Sequence, residues 1–352
     1  MLLNNPSVSY SDRMNHILKP ATGQDKPLVV DLFAGCGGLS LGFEAQGFRT
    51  IGYEKDSDCC KTYNRNLQGK CIEMELGPDS DIARADIIVG GPPCQPFSEV
   101  GKGIGLRDSR DGFPTFISIV NRQKPLVWMF ENVNGMMLDK NVRYLLEIRK
   151  AFAKDYTVSP VLRHAQEINC ADYGVPQKRK RIFVAGYRNG SFRFPAKTNP
   201  MKSMYVTSSM ALGGSASQCN ADSKFLTKEQ DKYIRSYEQK CEVLKSRDLH
   251  PDLPARTLTT RNIGGATADM LRIKLPDGRR RMLTMREAAR LQSFPDWFEF
   301  EGSEGSVSRQ IGNAVPPLLA YHLAGSFKEY LATVDKEASA TAETNPEAAL
   351  AA

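Results

Sequence analysis

The stretch Leu28-Val29-Val30-Asp31-Leu32-Phe33-Ala34-Gly35-Cys36-Gly37-Gly38 decides the fold. The run LVVDLF at 28–33 is apolar on both faces but for one acid, as a strand covered by helices requires. The glycines behind it permit a tight turn into a helix predicted over Leu39–Gln46, whose first N–H groups are open to a ligand. The dinucleotide fingerprint wants a third glycine where Ser40 stands. A nucleotide-linked oxidoreductase, the generic reading of such a turn, is therefore disfavoured.

On either side the same alternation continues. RTIGYE (49–54), KCIEME (70–75), DIIVGG (86–91), LVWMFE (126–131) and RIFVAG (181–186) read as strands. Helices are predicted between them over Ser57–Asn66, Phe113–Arg122 and Val142–Lys154. The expected class is α/β, a doubly wound and mostly parallel sheet whose ligands sit beyond the carboxyl ends of the strands. After Gly186 the alternation stops. Residues 188–282, rich in Ser, Asn, Lys, Arg and Gly, read as a second, smaller and irregular domain. Helix signals return at Met285–Gln292 and from Pro316 to Thr333. The expected division is thus 1–187, 188–282, 283–333 and a disordered tail at 334–352, with residues 1–26 a polar, aperiodic arm.

Composition narrows the function classes. The chain has 352 residues, 47 Lys and Arg against 40 Asp and Glu, and a formal charge of +7. The acidic tail hides three further charges, so residues 1–333 carry +10, a mild pointer to a polyanionic partner. No apolar run approaches a membrane span and no apolar leader follows the N-terminus, so a cytosolic chain without membrane contact is expected. The eight cysteines include an adjacent pair, Cys59 and Cys60, and no C-x-x-C, which reads as free thiols. The four histidines are isolated, and no metal site is expected.

Chemistry gathers at the predicted strand ends. Glu54 closes strand two nineteen residues after Gly35, placed to accept both hydroxyls of a ribose; Glu73 or Glu75 ends strand three. Strand four runs into Gly90-Gly91-Pro92-Pro93-Cys94-Gln95-Pro96-Phe97-Ser98, which holds a thiol between prolines at the mouth of the expected cleft. A cysteine is usually a small buried hydrophobe, but this position suits a nucleophile activated by neighbouring cations such as Arg181. Residues 99–112 carry four glycines with Lys102, Arg107 and Arg110, the composition of a basic lid. Strand five ends in Glu131-Asn132-Val133, an acid beside the thiol suited to donating a proton. In Gln177-Lys178-Arg179-Lys180-Arg181 the alternate residues Gln177, Arg179 and Arg181 share one face.

Taken in order, FAGCGG, Glu54, GGPPCQPFS, ENV, QKRKR, LTMREAARLQSFP and IGNAVPP resemble the cytosine-C5 DNA methyltransferase family over about residues 28–325. The resemblance implies a Rossmann-like fold for 1–187 and 283–333, with 188–282 as the target-recognition domain and Thr257-Leu258 its recurrent element. It implies S-adenosylmethionine as methyl donor: Phe33 on the adenine, Gly35, Gly37 and Gly38 near the methionine portion, Glu54 on the ribose, and Pro93, Asn313 and Val315 closing the pocket. Where the family usually has Asp after strand three, this chain offers Glu75 or Glu73, of which Glu75 is preferred. Cys94 is implied as the nucleophile at C6 of a flipped cytosine, with Glu131 at N3, Arg181 near O2 and Arg179 supporting. Gln95, Ser98, Lys102 and Arg110 are implied to grip DNA and Arg261 to read bases; the basic runs Lys178–Arg193 and Arg279–Arg281 would supply the electrostatic footprint. Double-stranded DNA is the implied partner of a monomer bound to the nucleoid, with a cognate restriction endonuclease as a functional rather than physical companion. Two alternatives stay open. One is the tRNA-methylating branch, whose Cys-Phe-Thr is absent from 188–282; the other is a catalytically silent DNA-binding relative, which would have lost Cys94, Glu131 or the arginines.

Overall fold

The computed structural model describes residues 8–23, 25–93, 111–160, 165–214, 223–240, 247–264 and 269–344. The N-terminal segment is not a plain arm: α1 (Tyr10–Ile17) is capped by Ser9, whose Oγ accepts from Asp12 N at 3.1 Å. Tyr10, Met14 and Leu18 recur every fourth residue and are all buried, a helical period too brief to stand out in a polar context.

The body follows the predicted alternation: β1 (Leu28–Leu32), α2 (Gly38–Ala45), β2 (Arg49–Glu54), α3 (Ser57–Asn66), β3 (Lys70–Glu73), β4 (Ile87–Gly90), α4 (Phe113–Gln123), β5 (Val127–Val133) and α5 (Asp139–Phe152). β6 (Thr157–Ser159), β7 (Gln166–Asn169), β8 (Gln177–Lys178) and β9 (Lys180–Tyr187) complete this part. The main sheet runs β3-β2-β1-β4-β5-β9-β6, with β7 also on β9. The first five strands are parallel, whereas β9 lies antiparallel to β5, β6 and β7. Strand order reverses between β1 and β4, the switch point at which such sheets open a crevice.

Alternate strand residues enter two cores. On one face Val29, Val89, Met129 and Phe183 pack with Leu41 and Phe43 of α2 and with Leu319, Leu323 and Phe327 of the last helix. On the other face Val30, Ile88, Trp128, Phe130 and Val184 meet Phe116 of α4 and Leu145, Ile148 and Phe152 of α5. A sheet covered on both sides explains why these strands read as apolar runs.

The later chain adds α6 (Ser208–Leu212), α7 (Lys228–Lys240), β10 (Ala255–Arg256), α8 (Thr260–Ile263), the hairpin β11 (Arg272–Lys274) and β12 (Arg280–Met282), α9 (Met285–Leu291), α10 (Glu304–Asn313) and α11 (Pro317–Thr344). Two expectations are corrected here. The last helix does not stop at Thr333 but continues to Thr344, because residues 334–344 contain no Pro or Gly and include three Ala and two Glu. The run Arg279–Arg281 is not a phosphate-binding surface for two of its three members. Arg280 is held by Asp231, Glu238 and Asp248 at 3.0–3.2 Å, and buried Arg281 is held by Glu287 through two bonds at 2.7 and 2.8 Å. Asp231 and Glu238, seven residues apart on α7, present both carboxylates to the hairpin. Arg279 stays exposed beside Asp277.

Candidate active site

Beyond the carboxyl ends of β1, β2, β4 and β5 lies a cavity of about 720 Å³. Its floor is the turn after β1, where Phe33, Gly35 and Gly37 have φ of +60°, +53° and +86°. Phe33 is the costly member, since a side chain at positive φ is strained and such strain concentrates at functional sites. This backbone turns the chain sharply into α2, and Ala34 N donates to Tyr53 O at 3.1 Å, tying the turn to β2.

Phe33, Gly35, Gly38, Glu54, Glu75, Pro93, Asn313 and Val315, all expected near the donor, line this cavity. Gly37 does not: it caps α2 from behind, and a Cβ there would stand 2.7 Å from Tyr63 Cδ2. Gly38 is bare because the C-terminal segment crosses it, with a Cβ position 2.5 Å from Val315 O. The pair left open by the sequence separates cleanly: Glu75 lines the cavity with Met74 and Leu76, whereas Glu73 is the exposed last residue of β3. Glu75 carries an ion pair to Lys55 at 3.3 Å.

Glu54 is fixed by three backbone donors. Its Oε2 accepts from Gly35 N at 3.0 Å, and its Oε1 accepts from the N–H groups of Lys55 and Asp56, both at 2.9 Å. A carboxylate has about four lone-pair positions, so acceptor capacity remains for a hydroxyl in the cavity.

The sequence reading missed Asp31. It is buried in β1 yet borders the cavity, and Ser40 Oγ donates to its Oδ2 at 2.7 Å. Burial pushes its carboxyl up to about 7, opposed by the Ser40 bond and reinforced by Glu54. Ser40, the residue that broke the dinucleotide fingerprint, is thus this acid's partner. A lone acid inside an apolar strand was the available signal. Tyr53, Thr115 and, on α10, Ser306, Arg309 and Gln310 also line the cavity and were not singled out.

Glu131 also lines the cavity, and its Oε1 lies 3.0 Å from Arg181 Nε on the adjacent antiparallel strand β9. Both side chains are largely buried. A Cβ on Gly91, three residues before Cys94, would lie 3.6 Å from Glu131 Oε2, so the strand-four end reaches this carboxylate. Next door, buried Asn132 donates from Nδ2 to Pro92 O at 2.9 Å, and Gly112 N donates to Pro93 O at 3.0 Å. Cys94, Gln95, Ser98, Lys102, Arg107 and Arg110 lie outside the described residues.

The face shared by Gln177, Arg179 and Arg181 is present. Gln177 and Arg179 are buried, while Lys178 and Lys180 face out. Arg179 Nη1 donates to Leu258 O at 2.9 Å, and Gln177 Oε1 accepts from Leu258 N at 2.8 Å. β10 pairs parallel with β8, and Thr257 Oγ1 donates to Lys178 O. Thr257-Leu258 is therefore strapped to β8 and to Arg179, just ahead of the strand that carries Arg181. Burial, then Arg181, pulls the Arg179 guanidinium down to about 9, still cationic at neutral pH. Arg261 lies exposed on α8, whose neighbour Thr260 packs against Gly312 of α10.

Among the described residues no group of His, Cys, Asp and Glu is placed to hold a metal, and no helix is long and apolar enough to cross a membrane. The described cysteines 36, 59, 60, 71 and 170 are free thiols.

The sequence pattern of the C-5 cytosine-specific DNA methylases matches residues 28–329. Type II methyltransferase M.AplI of Arthrospira platensis is 50% identical over 325 residues, covering 91% of each chain. Type II methyltransferase M.NgoFVII of Neisseria gonorrhoeae is 34% identical over 339 residues, covering 87% of each. A putative DNA modification methyltransferase from an E. coli prophage shares the fold at a TM-score of 0.62 and 23% identity, over 87% of this chain and 99% of that one. The S. pombe Dnmt2 methyltransferase does so at 0.65 and 17%, over 86% and 99%. The chain belongs to the C-5 cytosine-specific DNA methylases and is a DNA cytosine-5-methyltransferase.

Proposed function

We propose that the methyl donor is S-adenosylmethionine and that Cys94 is the nucleophile on a cytosine flipped from duplex DNA. The observation that carries this reading is the buried Glu131–Arg181 pair, whose acid lines the cavity and is bordered by the segment that leads into Cys94. The cavity's chemistry fits the donor. About 720 Å³ lies within the usual range for a drug-sized ligand, two aromatic rings (Phe33 and Tyr53) and two apolar side chains (Met74 and Leu76) suit an adenine, and among the described lining residues the acids outnumber the bases. When bound, the donor supplies an electrophilic methyl group on a sulfonium.

The rest falls to the chain and the base. Cytosine C5 is a poor nucleophile until C6 is attacked. The Cys94 thiolate forms a bond to C6, which pushes charge toward N3 and O2; Glu131 hydrogen-bonds or protonates N3, and Arg181 neutralises charge near O2. C5 then takes the methyl group, a base or water removes the C5 proton, and Cys94 leaves by elimination. Arg179 keeps Leu258, and with it the recognition segment, in register with Arg181. Residues 188–282 read the target with Arg261 in the groove, while Gln95, Ser98, Lys102 and Arg110 hold the opened duplex.

The test is methyl transfer itself. The purified protein, duplex DNA and S-adenosylmethionine labelled in the methyl group should place label on C5 of cytosine in one sequence context, located by bisulfite sequencing. Label on adenine or on RNA alone would reject the reading.

A further inference from the structure

The charges around the cavity are lopsided. Six described acids line it, Asp31, Glu54, Asp56, Glu75, Asp111 and Glu131, against two described cations, Lys55 and Arg309. Lys55 is committed to Glu75. Arg309 is exposed and makes no hydrogen bond or ion pair with any described residue, although each of the six acids has at least one partner.

Its position is nonetheless fixed. Ser306, Arg309, Gln310 and Asn313 fall at helical spacing on one face of α10, and all four line the cavity. Gln310 anchors that face: its Oε1 accepts from Thr62 Oγ1 at 2.7 Å and its Nε2 donates to Glu301 O at 2.8 Å. Cys36 Sγ lies 3.7 Å from Gln310 O, so residue 310 touches the glycine turn. Arg309 therefore lines the cavity from the helix that touches the glycine turn.

S-adenosylmethionine carries two positive groups, the sulfonium and the α-ammonium, and a single negative one, the α-carboxylate. An acid-rich cavity with one cation that has no partner among the described residues complements that pattern. We propose that Arg309 is the positioning residue that takes the donor's α-carboxylate and so fixes the amino-acid end against the glycine turn. This deepens the donor assignment above and rests on it.

Two ligands separate the possibilities: S-adenosylhomocysteine, and its decarboxylated analogue, which keeps the ammonium and lacks the carboxylate. Titration calorimetry on the wild type, Arg309→Ala and Arg309→Lys should show Arg309→Ala losing about tenfold in affinity for S-adenosylhomocysteine. The same variant should bind the decarboxylated analogue within twofold of wild type, and Arg309→Lys should recover part of the loss. Equal loss for both ligands, or none for either, overturns the proposal. So does an unchanged affinity for S-adenosylhomocysteine with weakened DNA binding, which would make Arg309 a phosphate contact. Failure of the wild type to bind S-adenosylhomocysteine would instead strike the donor assignment itself.

Discussion

Asn132 Nδ2 donates to Pro92 O at 2.9 Å, so the residue next to Glu131 on β5 holds the segment that leads from β4 into Cys94. The proposed acid and the segment leading to the proposed nucleophile thus come from adjacent parallel strands whose ends are clamped by one buried amide. Asn132→Ala leaves that carbonyl without its partner, at a cost of about 1–3 kcal/mol. The single-turnover methyl-transfer rate should fall at least tenfold while the Kd for S-adenosylhomocysteine stays within twofold. A variant that loses both together would mean the clamp supports the cavity as a whole.

Glu131→Gln keeps the shape of the side chain but removes the carboxyl proposed to act at N3. Proton transfer by a positioned side chain contributes about 10²–10⁴ in rate. The rate on duplex DNA should fall by at least 10², with DNA affinity little changed. A wild-type rate for Glu131→Gln would remove the acid from the mechanism.

Asp31 gives the enzyme a pH dependence of defined sign. Its carboxyl sits at about 7 in the fold against 3.8 when unperturbed, because burial disfavours the charge. Between about pH 4 and pH 7 the native state keeps a proton that the unfolded chain has released, so this residue's contribution to stability is lost as pH rises through that window. Asp31→Asn, which preserves an acceptor for Ser40, should melt within a degree or so of wild type near pH 4 and several degrees higher at pH 8, as followed by circular dichroism. Donor affinity should run the other way. The ionised acid favours a cationic ligand, so wild-type affinity for S-adenosylmethionine should rise with pH through about 7 and flatten in Asp31→Asn.

Two arginines that look alike in the sequence should behave oppositely. Arg281 is buried against Glu287, and removing one member of such a pair costs about 3–5 kcal/mol, so Arg281→Ala should lower Tm without altering the salt dependence of DNA binding in the protein that remains folded. Arg261 is exposed on α8. Arg261→Ala should leave Tm unchanged and lower either target affinity or discrimination between sites, as read by competition binding.

Much of this was legible before the structure. Apolar runs marked β1, β4 and β5 because a sheet covered on both faces leaves little polar alternation there, and the described strand-end residues Gly35, Glu54, Pro93 and Glu131 fell beside one cavity because such sheets place ligands there. What escaped depended on contacts distant in sequence. Arg280 and Arg281 read as a solvated basic run because Asp231, Glu238 and Asp248, which neutralise Arg280, lie 32–49 residues away. Asp31 was hidden inside an apolar strand and needed Ser40 to declare it. Arg309 carries no motif of its own and is marked only by having no partner among the described residues, beside acids that do. Gly37, expected near the methionine portion, is absent from the cavity lining, and its lack of a side chain makes room for Tyr63.

The central claim is a transient bond between Cys94 and C6 of the target cytosine. Duplex DNA in which 5-fluorocytosine replaces the target blocks the elimination step, because fluorine does not leave C5 as a proton does. With S-adenosylmethionine present, the wild type should form a denaturant-stable protein–DNA adduct whose peptide map places the link on Cys94, and Cys94→Ser should form none. An adduct on another residue, or continued methylation by Cys94→Ser, would contradict the account.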